Sequence, residues 1–298
     1  MHNKVAPHLL YNLLGHIGER QGEQMSKQDI NGKWALVTGA GSGMGRTTSL
    51  ELARAGANLI LVDICGEAIG NVAREVEALG AECQTFCVDV TDFDQIKNMA
   101  DTINARYGAV DILVNNAGIA HMGFTVDTSI AEWEKLWAVN VWSIIYMVKA
   151  FAPAMMRRKS GQIINVSSGQ AFFAVPTWGP YATTKFAVDG YSEALRYELY
   201  WQNIAVTAVY PGIVRTPFYD SIKGGWMVNL GMKILMATAM KPESMSKLTV
   251  KGIVKRKRMV IPAIMWPVYI FKPIAPWVFE IAGRIVAWGL RKELKTPV

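Results

Sequence analysis

Residues 34–45 read WALVTGAGSGMG, an apolar run that passes directly into a glycine-rich loop. Apolar residues at helical spacing follow at Leu50, Leu52 and Ala53, so the stretch predicts a strand, a tight turn and the start of a helix. Glycines let the backbone approach a bound anion, and the amino end of a helix attracts phosphate. The stretch therefore predicts a cradle for the pyrophosphate of a dinucleotide. Its expected binding residues are Gly39, Ser42, Gly43, Met44 and Gly45.

Short apolar runs and helical patterns alternate along most of the remaining chain. Strands are expected at 58–62, 85–88, 111–115, 162–166 and 205–210, with a last one at 259–261. Helices are expected near 68–79, 96–103, 131–151 and 180–202. This alternation specifies an α/β fold with a doubly wound, Rossmann-like parallel sheet. We predict one catalytic domain over 31–261, with an amphipathic arm and linker (1–30) before it and an apolar, basic extension (262–298) after it.

Composition suits a globular chain whose positive charge is concentrated near its end. Of the 298 residues, 51% are hydrophobic and 18% charged, enough apolar surface to offset the entropy cost of ordering. From residue 241 onward there are 12 Lys and Arg against 3 Asp and Glu, while the whole chain carries +7. No nucleic-acid-reading motif accompanies this charge, so we expect no nucleic-acid partner.

The three cysteines, Cys65, Cys83 and Cys87, form no metal-binding pattern, and we predict no metal site. If residues 83–87 form a strand, Cys83 and Cys87 lie roughly 13 Å apart, beyond the ~7 Å limit for a disulfide. A reducing, cytoplasmic location is the simpler interpretation. We find neither a secretory signal nor a clear membrane-spanning segment in the sequence.

Asp63 is expected to end the second strand, about 20 residues beyond the glycine loop. A carboxylate there accepts hydrogen bonds from both hydroxyls of an adenosine ribose and repels a 2′-phosphate. Neither Ser42 nor Ile64 is replaced by the Lys or Arg that would favour the phosphate. The expected cofactor is therefore NAD, with Ile64 beside the adenosine; Arg46, just beyond the loop, is the residue that could still meet a phosphate.

Tyr181 and Lys185 are four residues apart in a predicted helix and so share one of its faces. A free tyrosine titrates near 10, but a neighbouring ammonium favours the phenolate. Tyr181 then accepts the proton of an alcohol, or donates one to a ketone. Ser168 follows a predicted strand, and its hydroxyl is suited to hydrogen-bond the substrate oxygen.

Between residues 31 and 217 the chain resembles the short-chain dehydrogenase/reductase family, in its short single-domain branch. The motifs that carry the resemblance are the glycine loop, Asp89-Val90, Asn115-Asn116-Ala117-Gly118, Asn140, Ser168, Tyr181-x-x-x-Lys185, and Pro211-Gly212 with Thr216. In this family Lys185 also holds the nicotinamide ribose, and Asn140 supports a water that relays protons to Lys185. The resemblance thus implies the catalytic set Asn140, Ser168, Tyr181 and Lys185.

The resemblance also implies further contacts with the cofactor. Two residues flank the adenine, three line the adenosine side of the cleft, and four belong to the segment whose last two members, Val214 and Thr216, hold the nicotinamide carboxamide. These are, in that order, Asp89 and Val90; Asn116, Ala117 and Gly118; and Pro211, Gly212, Val214 and Thr216. It further implies a homo-oligomer, a dimer or tetramer built through the helices near 131–151 and 180–202.

Three loops that vary between enzymes of such a scaffold are expected to select the substrate: 121–124, 170–178 and 218–240. They are rich in apolar and aromatic side chains and nearly free of acids and bases. We therefore predict a bulky hydrophobic secondary alcohol or its ketone, although the same side chains could cover the core or a subunit contact. The expected enzyme is an NAD-dependent oxidoreductase. The alternatives are an NADP-dependent carbonyl reductase and a non-catalytic dinucleotide-binding redox sensor, which would not need the acid–base pair.

The extension after residue 261 mixes aromatic, apolar and basic residues, including Trp266, Trp277, Trp288, Lys272 and Arg284. Such a mixture is typical of a segment that lies at a membrane interface. Peripheral membrane contact is one explanation, and packing on the body or on a second subunit is the other.

Overall fold

The computed structural model describes residues 29–220, 222, 233 and 236–291. Nearly all of the expected amphipathic arm lies outside the described residues. The described chain forms a seven-stranded parallel sheet in the order β3-β2-β1-β4-β5-β6-β7. The strands are β1 (Trp34–Thr38), β2 (Asn58–Asp63), β3 (Cys83–Cys87), β4 (Ile112–Asn115), β5 (Gly161–Val166), β6 (Ile204–Val209) and β7 (Met259–Val260). The predicted α/β doubly wound sheet is confirmed.

Helices cover both faces of this sheet. They are α1 (Gly43–Arg54), α2 (Gly66–Glu77), α3 (Phe93–Tyr107), α4 (Ile130–Trp137), α5 (Ser143–Arg158), α6 (Gly179–Glu198), α7 (Pro242–Val254), α8 (Trp266–Ile274) and α9 (Pro276–Leu290). One core layer joins α1, α2 and α7 to the sheet, and the other joins α3, α5 and α6 to its opposite face. Successive residues of the strands point into alternate layers, as Leu36 and Val37 do, so continuous apolar runs are buried on both faces.

The chain reverses its direction of winding between β1 and β4, which lie side by side at the centre of the sheet. Crossovers lead outward from β1 to β2 and β3, and then from β4 to β7 on the other side. In open parallel sheets a crevice forms at the carboxyl ends of the strands at such a reversal. The fold therefore places a ligand site beside the turns that follow β1 and β4.

The helix expected near 131–151 is interrupted. A π-helical turn, Ala138–Trp142, separates α4 from α5, and π-turns of this kind occur often at functional sites. The combined segment Ile130–Arg158 is long and apolar enough to cross a membrane, but 56% of its most apolar window is buried. Residues of α5 form part of a core layer, so the apolar character of this segment is that of a core helix.

Two other expectations shift in detail. Strand β3 begins two residues earlier than expected, and β7 consists of two residues rather than three. Cys65, Cys83 and Cys87 are free thiols, which agrees with the prediction that they form no disulfide. Among the described residues, no cluster of three or more His, Cys, Asp or Glu is arranged to hold a metal ion.

Candidate active site

A cavity of about 700 Å³ lies along the carboxyl edge of the sheet. Its walls come from the segments that follow β1 to β6, so one cleft collects residues from most of the chain. Most of the predicted site residues line it. These are Gly39, Ser42, Gly43, Met44, Asp63, Ile64, Asp89, Val90, Asn116, Ala117, Gly118, Ser168, Tyr181, Lys185, Pro211, Gly212, Val214 and Thr216. Two predicted residues, Gly45 and Asn140, lie behind the wall and act on residues that line it.

The glycine loop is shaped by backbone conformations that favour glycine. Gly39 and Gly43 have φ angles of 63° and 51°. A β-carbon on Gly45 would lie 1.9 Å from the carbonyl oxygen of Gly39, and one on Gly43 would lie 3.2 Å from the Thr216 side chain. Only glycine permits this close packing at position 45. The loop leads directly into the amino end of α1, so it fits the predicted pyrophosphate of a dinucleotide.

Asp63 is held in place by the backbone around it. One carboxylate oxygen accepts a hydrogen bond from Gly41 N at 2.9 Å, and the other accepts one from Cys65 N at 3.1 Å. The carboxylate therefore lies beside the glycine loop, where a ribose next to the pyrophosphate would meet it. Arg46, which could have met a 2′-phosphate, is instead paired with Glu75, its Nε donating at 2.9 Å.

Asn116 links the turn after β4 to the end of β1. Its side-chain amide donates to the carbonyl oxygen of Thr38 at 3.0 Å. The Thr38 hydroxyl in turn accepts from the backbone N–H of Asn116 at 3.0 Å and of Ala117 at 3.1 Å. These bonds fix the floor of the cleft at the reversal point, which gives the asparagine motif a structural role beside its predicted contact with the adenosine.

Tyr181 and Lys185 lie on one face of α6, and both are buried. The Lys185 amine donates to the carbonyl oxygen of Val166 at 3.0 Å and lies 5.6 Å from the centre of the Tyr181 ring. Burial lowers the pKa of Lys185 to about 8. Burial is also the largest effect on Tyr181 and raises the pKa of its phenol, with Tyr219 adding to the rise and a hydrogen bond with Ser168 opposing it.

The expected net lowering of the Tyr181 pKa by the ammonium is therefore not what the structure shows. The loss of hydration on burial raises the pKa of the phenol, and the opposing effect comes from the hydrogen bond with Ser168. The phenol is accordingly protonated at neutral pH, as a proton donor must be.

Asn140 lies within the π-helical turn and is fully buried. Its carbonyl oxygen accepts from Ile119 N at 2.8 Å, and its amide donates to Ile119 O at 3.0 Å and to the Thr184 hydroxyl at 3.1 Å. The side chain thus joins the turn after β4 to Thr184 of α6, the residue immediately before Lys185. Its contacts make it a positioning residue, and its share in a proton relay stays a prediction.

Three aromatic rings form a cluster with Tyr181, and two of them, Phe218 and Tyr219, line the cavity. Trp178 and Phe218 meet the tyrosine ring edge to face at 5.6 and 5.7 Å, and Tyr219 packs on both, at 6.2 Å from Trp178 and 5.2 Å from Phe218. All three belong to the loops predicted to select the substrate. Of the rest of the third loop, the structure describes residues 220, 222, 233 and 236–240.

Other residues of those loops lie elsewhere. Phe172 stacks on Tyr210 at 4.6 Å, and Phe173 lies 5.9 Å from Phe279 in α9, so both pack toward the extension and neither lines the cavity. His121 lies 3.2 Å from the Thr128 hydroxyl and supports its own loop. The packing alternative stated for these side chains therefore describes Phe172 and Phe173, which contact Tyr269 and Phe279 of the extension, while substrate selection by the three loops stays a prediction.

Several lining residues were missed by the sequence analysis. They sit next to predicted motifs and include Val88, Thr91, Ile119, Lys135, Val139, Ser167 and Pro217. Lys135 is the one charged residue among these seven, and it comes from α4. It lies three and four residues before the lining residues Ala138 and Val139, which is the spacing of one helix face.

This fold and cleft define a dinucleotide-dependent oxidoreductase of the Rossmann type. The sequence pattern of the short chain dehydrogenase family matches residues 33–224. The chain belongs to this family.

Two relatives from different organisms are similar to this chain. The chain is 35% identical over 193 residues to a 3-oxoacyl-(acyl-carrier-protein) reductase of Thermotoga maritima, covering 65% of this chain and 78% of that protein. It is 32% identical over 237 residues to estradiol 17-beta-dehydrogenase 11 of Macaca fascicularis, covering 78% and 76%.

Solved structures of the family agree with the fold. A short chain dehydrogenase from Mycobacterium paratuberculosis bound to NAD has a TM-score of 0.71 at 28% identity, with 81% of this chain and 99% of that chain covered. A metagenomic short-chain oxidoreductase in complex with NADP has a TM-score of 0.67 at 29% identity, covering 79% and 98%. Structural neighbours thus bind either dinucleotide.

Proposed function

We propose that this protein interconverts a bulky hydrophobic secondary alcohol and its ketone, with NAD as the dinucleotide. The observation that carries the proposal is the buried Tyr181–Lys185 pair, which opens on one side to the cleft and is walled on the other by aromatic rings. When bound, the nicotinamide supplies or accepts a hydride.

The residues around the substrate oxygen handle the proton. In reduction, the Tyr181 phenol donates its proton to the ketone oxygen, and the Ser168 hydroxyl hydrogen-bonds the same oxygen. The Lys185 amine, held by Val166 O, stabilises the phenolate that remains. In oxidation the same phenolate accepts the alcohol proton. Burial raises the pKa of the Tyr181 phenol and so keeps its proton in place at neutral pH, where it is available to a ketone oxygen.

The preference for NAD rests on Asp63. Its carboxylate lies at the glycine loop, where it repels a 2′-phosphate, while the nearby guanidinium of Arg46 is already paired with Glu75. NADP bound to a family member keeps the NADP-dependent reductase as the competing interpretation.

The preference for a hydrophobic substrate rests on Phe218 and Tyr219, which line the cavity, while Trp178 packs against Tyr181 and Tyr219 outside the lining. Burying a large apolar side of a ligand against such rings contributes about 25 cal/mol per Å². The names of two relatives, one for an acyl chain and one for a steroid, support the same direction.

The test compares kcat/KM for an aryl or steroid ketone with that for a small polar hydroxy acid or sugar. We expect kcat/KM to be at least about tenfold higher for the bulky apolar compound. The variant Tyr181→Phe is expected to lose about 10²–10⁴-fold in kcat while still binding NADH in a fluorescence titration. Preference for the small polar compound, or full activity without the hydroxyl, would refute the proposal.

We also propose that the protein assembles into a dimer or tetramer through α5, α6 and the turn between α4 and α5. Trp142 and Tyr197 on these elements are 48% and 65% exposed, an apolar surface that a second subunit would cover. Sedimentation equilibrium tests this proposal, and a monomer at micromolar concentration would contradict it.

A further inference from the structure

The two helices of the extension expose apolar side chains where a surface helix normally exposes polar ones. Neither α8 nor α9 has a buried residue. Eleven of the twenty-two large hydrophobic side chains that are exposed in the described part of the chain fall within residues 264–288. Soluble proteins seldom expose so concentrated an apolar surface without a partner for it.

Four of the exposed apolar residues of α9 form one row at helical spacing, and Val278 and Val286 are exposed outside it. Trp277, Ile281, Ile285 and Trp288 are 63%, 52%, 64% and 66% exposed. We call this row the outer stripe. Phe279, Gly283 and Ala287, on the other side of the helix, are partly buried. The helix is therefore amphipathic, but its more apolar face is turned away from the body.

The extension is attached to the segment that carries Ser168. The Lys272 amine donates to Phe172 O at 2.6 Å and lies 5.6 Å from the Phe186 ring of α6. Tyr269 packs on Phe172 at 5.0 Å. The two helices therefore lie beside the segment that follows Ser168 and beside α6, which carries Tyr181 and Lys185.

Charge contributes little to this surface. Glu280 and Arg284 pair along α9, and Arg291 stacks 4.0 Å from the Trp288 ring. The strongly basic run 255–258 precedes β7 and so lies at the amino edge of the sheet, whereas α8 follows the carboxyl edge. The concentration of positive charge seen in the sequence is therefore split between two edges of the molecule, and the surface of the extension is mainly aromatic and aliphatic.

We propose that the outer stripe of α9, together with the exposed residues of α8, docks on a phospholipid bilayer of neutral headgroups. Tryptophan is the side chain best suited to the boundary between headgroups and acyl chains, and one lies near each end of the outer stripe. Apolar exposure also continues off the stripe, at Phe271 and Val278, with 57% and 45% exposed. A deformable lipid surface covers apolar side chains on several sides of the two helices, whereas a second copy of the chain would cover them on one side.

Docking in this way brings the catalytic cleft close to the bilayer. Phe172, on which α8 packs, lies four residues after Ser168. A hydrophobic ketone dissolved in lipid would then reach the cleft without crossing bulk water. This consequence rests on the proposed function, whereas the docking itself does not.

Flotation of the full-length protein with phosphatidylcholine vesicles tests the docking directly. We expect the wild type to float with the vesicles, equally at 0.1 M and 0.5 M salt, because apolar contacts are not screened. Ile281→Ser with Ile285→Ser should reduce the bound fraction by at least about tenfold. The matched control, Val126→Ser with Ile130→Ser, removes two similarly exposed aliphatic residues elsewhere and should leave binding unchanged.

Other results would overturn the proposal. These are a wild type that stays with the unbound fraction, binding only to anionic vesicles with loss at 0.5 M salt, or a dimer that the stripe variant converts to a monomer without any flotation. Circular dichroism and turnover of a water-soluble ketone show whether the variant is folded. Flotation needs no turnover, so failure of docking is distinguishable from failure of the proposed reaction.

Discussion

Replacing Asp63 by asparagine isolates the charge that is proposed to exclude a 2′-phosphate. Two unit charges 4 Å apart at an effective dielectric constant of 20 repel by about 4 kcal/mol, an upper limit. Because Asp63 is only partly buried, we halve this value to about 2 kcal/mol, which corresponds to a factor of about 30. The wild type should therefore favour NAD over NADP by about 30-fold in kcat/KM, and in Asp63→Asn that ratio should fall toward one.

The substitution also has a structural cost that can be measured separately. The carboxylate accepts from both Gly41 N and Cys65 N, whereas an asparagine has one acceptor oxygen and turns its amide toward the other N–H. We expect a loss of about 1–3 kcal/mol in the free energy of unfolding.

The assay is kcat/KM for both dinucleotides at low and high salt, together with urea unfolding. In 1 M salt the wild-type preference should shrink, because the screening length falls to about 3 Å. Asp89→Asn is the matched control, since it removes another carboxylate that lines the cleft but is predicted to lie beside the adenine. A cofactor ratio that stays within twofold of the wild type in Asp63→Asn would refute the electrostatic reasoning.

Further predictions concern Gly45 and Asn140 behind the cleft and Lys185 in its wall, with Gly70 as a control. Gly45→Ala places a β-carbon 1.9 Å from Gly39 O and should abolish dinucleotide binding in a fluorescence titration, whereas Gly70→Ala, with nothing within 4 Å, should stabilise α2 by up to about 1 kcal/mol. Asn140→Ala leaves the backbone N–H and carbonyl of Ile119 without their partner and should lower the free energy of unfolding by at least about 1 kcal/mol. An unchanged urea midpoint would contradict this positioning role of Asn140. Burial lowers the pKa of Lys185 from 10.5 to about 8, so between those values the unfolded chain holds the proton more tightly and stability rises with pH. In urea titrations at pH 7.5 and 9.5 Lys185→Met should lack this rise, of about 1 kcal/mol per pH unit, and an identical pH dependence in both proteins would contradict it.

The sheet was predictable because its signals are local and agree with one another. Most strands are short, mainly apolar runs, and a glycine follows within three residues of the end of β1, β2, β4, β5 and β6. Bounds shifted where the pattern was weak. Strand β3 lies at the edge of the sheet and is only partly buried, and the π-helical turn at Asn140 has no periodic signature of its own.

The cleft was predictable where a motif has a fixed place relative to a strand. Asp63 and Asn116 both follow strand ends, so their meeting at one edge of the sheet follows from the topology. Phe172 and Phe173 were misplaced because hydrophobicity does not say which apolar partner a side chain will find. The extension, about a hundred residues later in the chain, takes both.

The pKa of Tyr181 shows the same difficulty in electrostatic form. Spacing in sequence tells which charge is near, but not how much water each group loses, and here burial is the larger effect on both Tyr181 and Lys185. A bound nicotinamide would exclude more water from the cleft and so change the pKa of both Tyr181 and Lys185. The pH dependence of kcat/KM, which reports the free enzyme, should therefore differ from that of kcat, which reports the complex. Identical profiles would mean that the pKa values of Tyr181 and Lys185 do not change when the cofactor and substrate bind.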